Sequence, residues 1–264
     1  MGIMSKNIFF LTLIFLSSLL FSQQKNYSFG YRLEYVPDST NVLNTRMENF
    51  TLFVENGKSY FVSDNFIKRD SIIKTFSNLQ NLNFSNTPNT RFKSVLIKNK
   101  EKNSLTFYDN VLKYFFSYNE SPRFEWKLID EKQKIGTYSC FKAETEYGGR
   151  KWTAWYTKEI PFQDGPYKFN GLPGLIVKIS DSENNFTYEL SSIKKSNLPE
   201  NVIFSKKYLE KHKKLSKEDY IKAIKNINEN IINELSMSGL KIAPESVEAA
   251  KANLKRKNNP IELK

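Results

Sequence analysis

The chain has 264 residues, with 40 Lys and Arg against 28 Asp and Glu, a formal charge of +12 and a single cysteine. One cysteine excludes an internal disulfide, and one cysteine with one histidine cannot build a usual zinc shell, so the fold must be held by its core. The basic excess is mostly Lys, interleaved with acids, densest after Lys194 and without a nucleic-acid motif; it reads as solvated surface or as peripheral attraction to an anionic membrane surface, and nucleic acid is set aside as a partner.

Lys6 is the only charge before an apolar run from Ile8 to Leu20. That run is too short for a membrane span, which needs about 20 residues, and fits the hydrophobic core of a secretory signal. The small Ser22 followed by Gln23, Gln24 and Lys25 predicts cleavage near Ser22. Residues 1–22 are therefore expected to be a signal peptide, with no transmembrane segment after its removal.

Frequent aromatics, 21 Phe and 14 Tyr, favour pleated strands. Phe29, Tyr31, Leu33 and Tyr35 alternate along a first strand that Pro37 ends. Asn49 to Glu55 and Lys58 to Ser63 form two strands joined by Asn56-Gly57, the pair best suited to a type I′ turn. A short helix is expected within 65–79 and a loop at 87–90, then strands at 92–98, 104–108 and 112–118. Lys134 to Glu146 and Lys151 to Thr157 flank Gly148-Gly149 as a second hairpin. Leu175 to Ser180 and Phe186 to Ile193 follow as strands. After Pro199 the pattern turns helical: Ser216 caps, Asp219 completes the cap, and Tyr220, Ile224, Ile227, Ile231 and Leu235 share a face up to Gly239. A shorter helix is expected from Pro244, with a frayed end from Lys255. The domain plan is thus 23–198, an antiparallel β-rich domain, and 199–264, a basic helical segment.

The connection from Pro161 to Ile179 is rich in Pro and Gly. Leu172-Pro173-Gly174-Leu175 suits a type II turn and Asp164-Gly165-Pro166 a second turn. Phe162, Tyr167, Phe169 and Leu172 line this restricted loop and, with Trp152 and Trp155, are the residues expected to meet a ligand or partner. Three positions apart on a strand, the two tryptophans must face opposite ways. The string Gly171, Leu172, Pro173, Gly174, Leu175, Ile176, within the stretch from Trp126 to Ile179, resembles the signature of the GLPGLI family of exported Gram-negative proteins. The resemblance implies a β-rich domain and export to the periplasm or cell surface, and supplies no activity, cofactor or catalytic residue.

The residues themselves offer little chemistry. Cys140 sits mid-strand and His212 in a Lys-rich stretch, reading as a packed thiol and a solvated imidazole rather than a dyad. Asp181 with Glu183 matches no calcium loop, and Asp130 with Glu131 or Glu144 with Glu146 read as solvated strand surface. Asp38-Ser39-Thr40 and Asp70-Ser71-Ile72 are candidate O-glycosylation strings. No catalytic residue, cofactor or metal ligand is expected. The overall expectation is a mainly β (α+β) fold, a strongly curved antiparallel sheet or half-barrel with a C-terminal helix, acting as a non-enzymatic envelope protein that binds an apolar ligand or a protein. The alternatives are an envelope hydrolase using surface carboxylates and an assembly factor for an outer-membrane transporter.

Overall fold

The computed structural model describes residues 26–75, 87–237, 247–248, 251–252, 254 and 256–263. The expected signal at 1–22, the stop at Gly239 and the helix start at Pro244 lie outside them. Twelve strands form one sheet: β1 (Tyr27–Tyr35), β2 (Arg46–Glu55), β3 (Lys58–Ser63), β4 (Ser94–Asn99), β5 (Ser104–Val111), β6 (Tyr114–Glu120), β7 (Lys127–Ile135), β8 (Tyr138–Tyr147), β9 (Arg150–Thr157), β10 (Leu175–Asp181), β11 (Phe186–Lys195) and β12 (Lys213–Leu215). Their order is β12-β6-β5-β4-β3-β2-β1-β11-β10-β9-β8-β7. Two antiparallel meanders, β1 to β6 and β7 to β11, therefore meet at the β1–β11 pair.

That topology forces the curvature. The link from Glu120 to Lys127 must carry the chain from one side of the sheet to the far edge. Fully extended, its seven steps reach about 25 Å, whereas ten strand spacings in a flat sheet measure roughly 48 Å. Only a bent sheet brings β6 and β7 within reach. The result is the expected one, a large curved open sheet that is not closed.

Local turn chemistry sets the hairpins. Asn56 and Gly57 both have positive φ, 49° and 73°, as a type I′ turn requires, and Gly148 and Gly149 stand at 60° and 79°. Gly136, at φ 57°, makes a further turn, so the expected strand 134–146 is instead the end of β7 and all of β8. Leu112, also at positive φ, belongs to a turn and not to β6. The 172–175 turn differs too: Gly174 N–H donates to Leu172 O and Leu175 N–H to Ile160 O, so the type II bond is absent. The chain turns tightly about Pro173 because the Leu175 N–H is already given to Ile160 O, just beyond the end of β9.

The central strands bury both faces. Phe29, Tyr31, Leu33, Leu52, Phe61 and Leu96 fill the concave side with Trp152, Phe169, Leu172 and Leu175. Phe53, Val62 and Val95, one residue out of phase, fill a convex cluster. Helix α1 (Asp64–Thr75), a 3-10 turn (Val202–Phe204) and α2 (Lys206–Leu209) cover it through Phe66, Ile203 and Tyr208. Helix α3 (Lys217–Glu229) begins at Ser216, whose hydroxyl accepts from Asp219 N–H. It breaks at Asn230 before α4 (Ile231–Met237), so the continuous expected helix is two. Between α2 and α3 lies a correction: β12 pairs parallel with β6 inside a segment read as helical. A three-residue strand carries too little periodicity to be seen. Among the described residues, no helix is long and apolar enough to cross a membrane.

Candidate functional site

The loop from Pro161 to Gly174 enters the hollow of the sheet. Phe169 is fully buried among Phe124, Tyr147 and Trp152, and Leu172 is 1% exposed. Trp152 is equally buried, its indole N–H donating to Tyr147 O at 3.0 Å. Trp155 is half-buried on the opposite face with Lys142 Nζ 5.9 Å from its ring centre. Phe162 packs against Tyr27 and Phe29, and Tyr167 sits at φ 51° with its hydroxyl donating to Glu262. The residues expected to contact a ligand thus mostly fill the hollow themselves. Gly171 carries φ 90° beside Trp126, whose indole N–H donates to Asn170 O at 2.8 Å. Tyr31 O–H donates to Ile176 O at 2.8 Å, which ties the end of the motif to β1.

Two buried ionic clusters, neither visible in the sequence, hold this loop. Lys168 is fully buried. Its ammonium pairs with Glu120 and, at 2.5 Å, with Glu262, and donates to Tyr118 Oη at 3.0 Å. Lys217 of α3 pairs with the other oxygens of the same two carboxylates, at 3.0 and 2.6 Å. Rings of Phe107, Tyr118, Tyr147 and Tyr167 stand 5.2 to 5.8 Å from the Lys168 ammonium. On the other flank Lys98 Nζ meets Asp164 at 2.7 Å and donates to Gly165 O and Phe169 O, while Ser59 donates to Asp164. Two positive and two negative charges in the first cluster balance, and every carboxylate has several donors, which is what burial of charge demands.

The C-terminal end, expected to fray, is clamped. Arg150 Nη2 donates to Asn259 Oδ1 at 2.5 Å and Pro260 O at 2.7 Å, Nε donates to Ile261 O, and Nη1 pairs with Asp181 at 2.8 Å. Leu263 N–H donates to Gly148 O. The lysine-rich composition hid this, because the anchoring groups are not lysines but backbone carbonyls and the side chains of Asn259 and Glu262.

Burial works to raise the Glu262 carboxyl, but the charge of Lys168 and hydrogen bonds from Lys168, Lys217 and Tyr167 overcome it and hold the group below the ordinary range. Asp164 is likewise lowered, by Lys98, Lys100 and Ser59 against burial. Both therefore contribute stability that is complete above the unfolded values, about 3.9 to 4.3, and is lost as pH falls through the lower folded values. Thermal midpoints measured against pH should hold level above about pH 6.5, slope down gently below it as the unfolded chain protonates the histidine that burial keeps neutral at His212, and drop steeply in acid below about pH 4. Glu262→Gln should lower the plateau and flatten that drop; an unchanged acid limb would contradict the account.

The remaining candidates stay apart. Cys140 is buried in β8, its thiol pushed by desolvation up to about 11. His212 is buried, not solvated, with Nδ1 at 3.1 Å from Tyr208 O and its ring against Tyr108, Phe115 and Tyr208. Burial lowers its pKa. It adjoins β12 at one end of the sheet while Cys140 lies near the other. Asp181 is spent on Arg150, and Lys142 pairs with Glu131 and Glu144. Asp38 accepts from Thr40, and Asp70 from Asn201 and Val202. Glu144 and Glu146 border a cleft of about 590 Å³ together with Lys127 and Lys151, so acids there face bases. Among the described residues no group of His, Cys, Asp and Glu could hold a metal ion.

Residues 144–178 match the model of a family described as a protein of unknown function (Porph_ging). The match runs from β8 through the loop into β10 and includes all of Gly171 to Ile176. No curated protein matches the chain. Among solved structures, PNGF-II in its C2 crystal form aligns with a TM-score of 0.52 at 15% identity, covering 75% of this chain and 32% of that one. Its P21 form gives the same score and coverage at 16% identity. The chain spans about a third of the length of these structures, and the likeness is one of fold alone. A Vibrio parahaemolyticus domain assigned to outer-membrane lipoprotein sorting aligns with a TM-score of 0.32 at 10% identity, over 75% of this chain and 97% of its own.

Proposed function

We propose that this chain is an exported, non-enzymatic protein of the GLPGLI kind, working at the periplasmic or cell-surface side of the bacterial envelope by holding a partner at its surface. One observation supports this above the rest: the hollow, where an apolar ligand would ride, is occupied by the protein's own Trp152, Phe169, Leu172 and Leu175, each at most 1% exposed. A carrier keeps a cavity for its cargo, and a packed core leaves none. The carboxylates nearest that core, Glu120, Glu262 and Asp164, are bound to lysines, whereas general acid or base work needs a group free to exchange its proton.

The test has two arms. Uncharged apolar probes, a long-chain alcohol and an environment-sensitive dye, should not be taken up at one per chain. A photo-crosslinker at Leu43, which is 93% exposed, should give a discrete adduct in intact cells. Stoichiometric uptake of either probe defeats the reading in favour of a carrier. Turnover of envelope glycans that Glu144→Gln abolishes defeats it in favour of a hydrolase.

A further inference from the structure

At one end of the sheet, where the C-terminal helices meet the mouths of β1, β2 and β5, lies a cleft of about 690 Å³. Arg46, Arg91, Lys93, Arg256 and Lys257 all line it. Five cations around one space repel each other unless anions intervene. Among the described residues none of the five is in an ion pair. Two carboxylates share the cleft, so the cations outnumber the anions five to two: Glu48 accepts from Ser63, and Asp109 accepts from Tyr220 at 2.7 Å while also attracting Lys93; Asp38 close by accepts from Thr40 and Asn258. Burial, then the charges of Arg91, Lys93 and Arg46, push Lys257 down; burial, then Arg69, push Lys93 down against the opposing pull of Asp109. An arriving anion would relieve that strain on both lysines.

The walls are apolar as well as charged. Met47, Leu112, Ile231 and Leu254 share the cleft with the cations. Met47 is 67% exposed, and the loop leading into β2 shows Val42 and Leu43 to solvent. Cations beside protruding aliphatic side chains are complementary to a phosphate carried at the edge of hydrocarbon, where basic groups meet the headgroup and apolar ones enter the acyl boundary.

We propose that this cleft holds the phosphate of an anionic phospholipid headgroup, docking the protein peripherally on a membrane surface with Leu43 and Met47 toward the acyl region. The inference rests on the reading of a surface-acting envelope protein but fails separately from it: a crosslinked protein partner without vesicle binding would leave that reading standing and remove this one.

The purified protein should co-sediment with phosphatidylglycerol vesicles at low salt and not with phosphatidylcholine vesicles. Arg91→Gln with Lys257→Gln should weaken that binding about thirtyfold. A second pair, Arg46→Gln with Arg256→Gln, should do the same, both with thermal midpoints no lower than the parent's, since the charges removed repel their neighbours, and Leu43→Ser should weaken it further. Lys194→Gln with Lys195→Gln, exposed on β11, should leave it within about twofold of the parent. Equal losses in the control pair would overturn the site in favour of diffuse charge. Inorganic phosphate that stabilises the protein while vesicles do not bind would overturn the lipid source.

Discussion

Gly174→Ala is expected to cost about 4 kcal/mol or more in a urea unfolding experiment, enough to leave little folded protein. A Cβ at this position would lie 2.0 Å from Thr157 O and 2.7 Å from Thr157 C, both backbone atoms of β9. Backbone in a central strand cannot step aside without breaking the Leu175–Thr157 register. The glycine also holds φ at 147°, which L-residues rarely adopt. Gly136→Ala separates the two causes, because Gly136 has φ 57° and nothing within 4 Å of its Cβ position. It should cost about 1 kcal/mol, the conformational part alone. Equal midpoints for the two variants would show that the close approach at Gly174 carries no weight.

Lys168→Met should destabilise by about 3 kcal/mol, since it leaves two carboxylates that are only 14% and 11% exposed facing Lys217 alone. The loss is one of compensation, not of volume, as methionine nearly fills the space of the lysine stem. Adding Glu120→Gln removes one of the stranded charges, so the double variant should recover part of the loss, a coupling that a double-mutant cycle reads directly. A single-variant cost below about 1 kcal/mol would place the cluster in solvent, in the range of surface pairs. The cluster joins the loop through Lys168, β6 through Glu120, α3 through Lys217 and the chain end through Glu262. Its failure should loosen α3 and the tail together, measurable as faster amide exchange in both.

Much of the sheet was legible. The alternation of Phe29 to Tyr35, the Asn56-Gly57 turn and the Gly148-Gly149 hairpin all appear as read, because turn dihedrals and strand faces depend on neighbours in the chain. Consecutive apolar residues such as Leu52-Phe53-Val54 announced burial on both faces, which a reading fixed on alternation passed over. The candidate site was less legible. Lys98, Lys168 and Arg150 carry the letters of surface residues, and His212 lies among lysines that are themselves exposed. The ionic and hydrogen-bond partners of the buried cations stand far away, Asp164 at 66 positions from Lys98 and Asn259 at 109 from Arg150. No local pattern encodes such a pairing.

The sequence by itself determined a β-rich chain, the positions of its sharp turns and a rigid Pro-Gly connection, since these follow from backbone preferences over a few residues. Only the tertiary structure decided that the sheet curls until a seven-step link spans it, that the connection fills the hollow, and that charged side chains are sealed inside. Those outcomes depend on which distant groups desolvate one another, and the cost of burying a charge is set by the partner that arrives, not by the residue that waits for it.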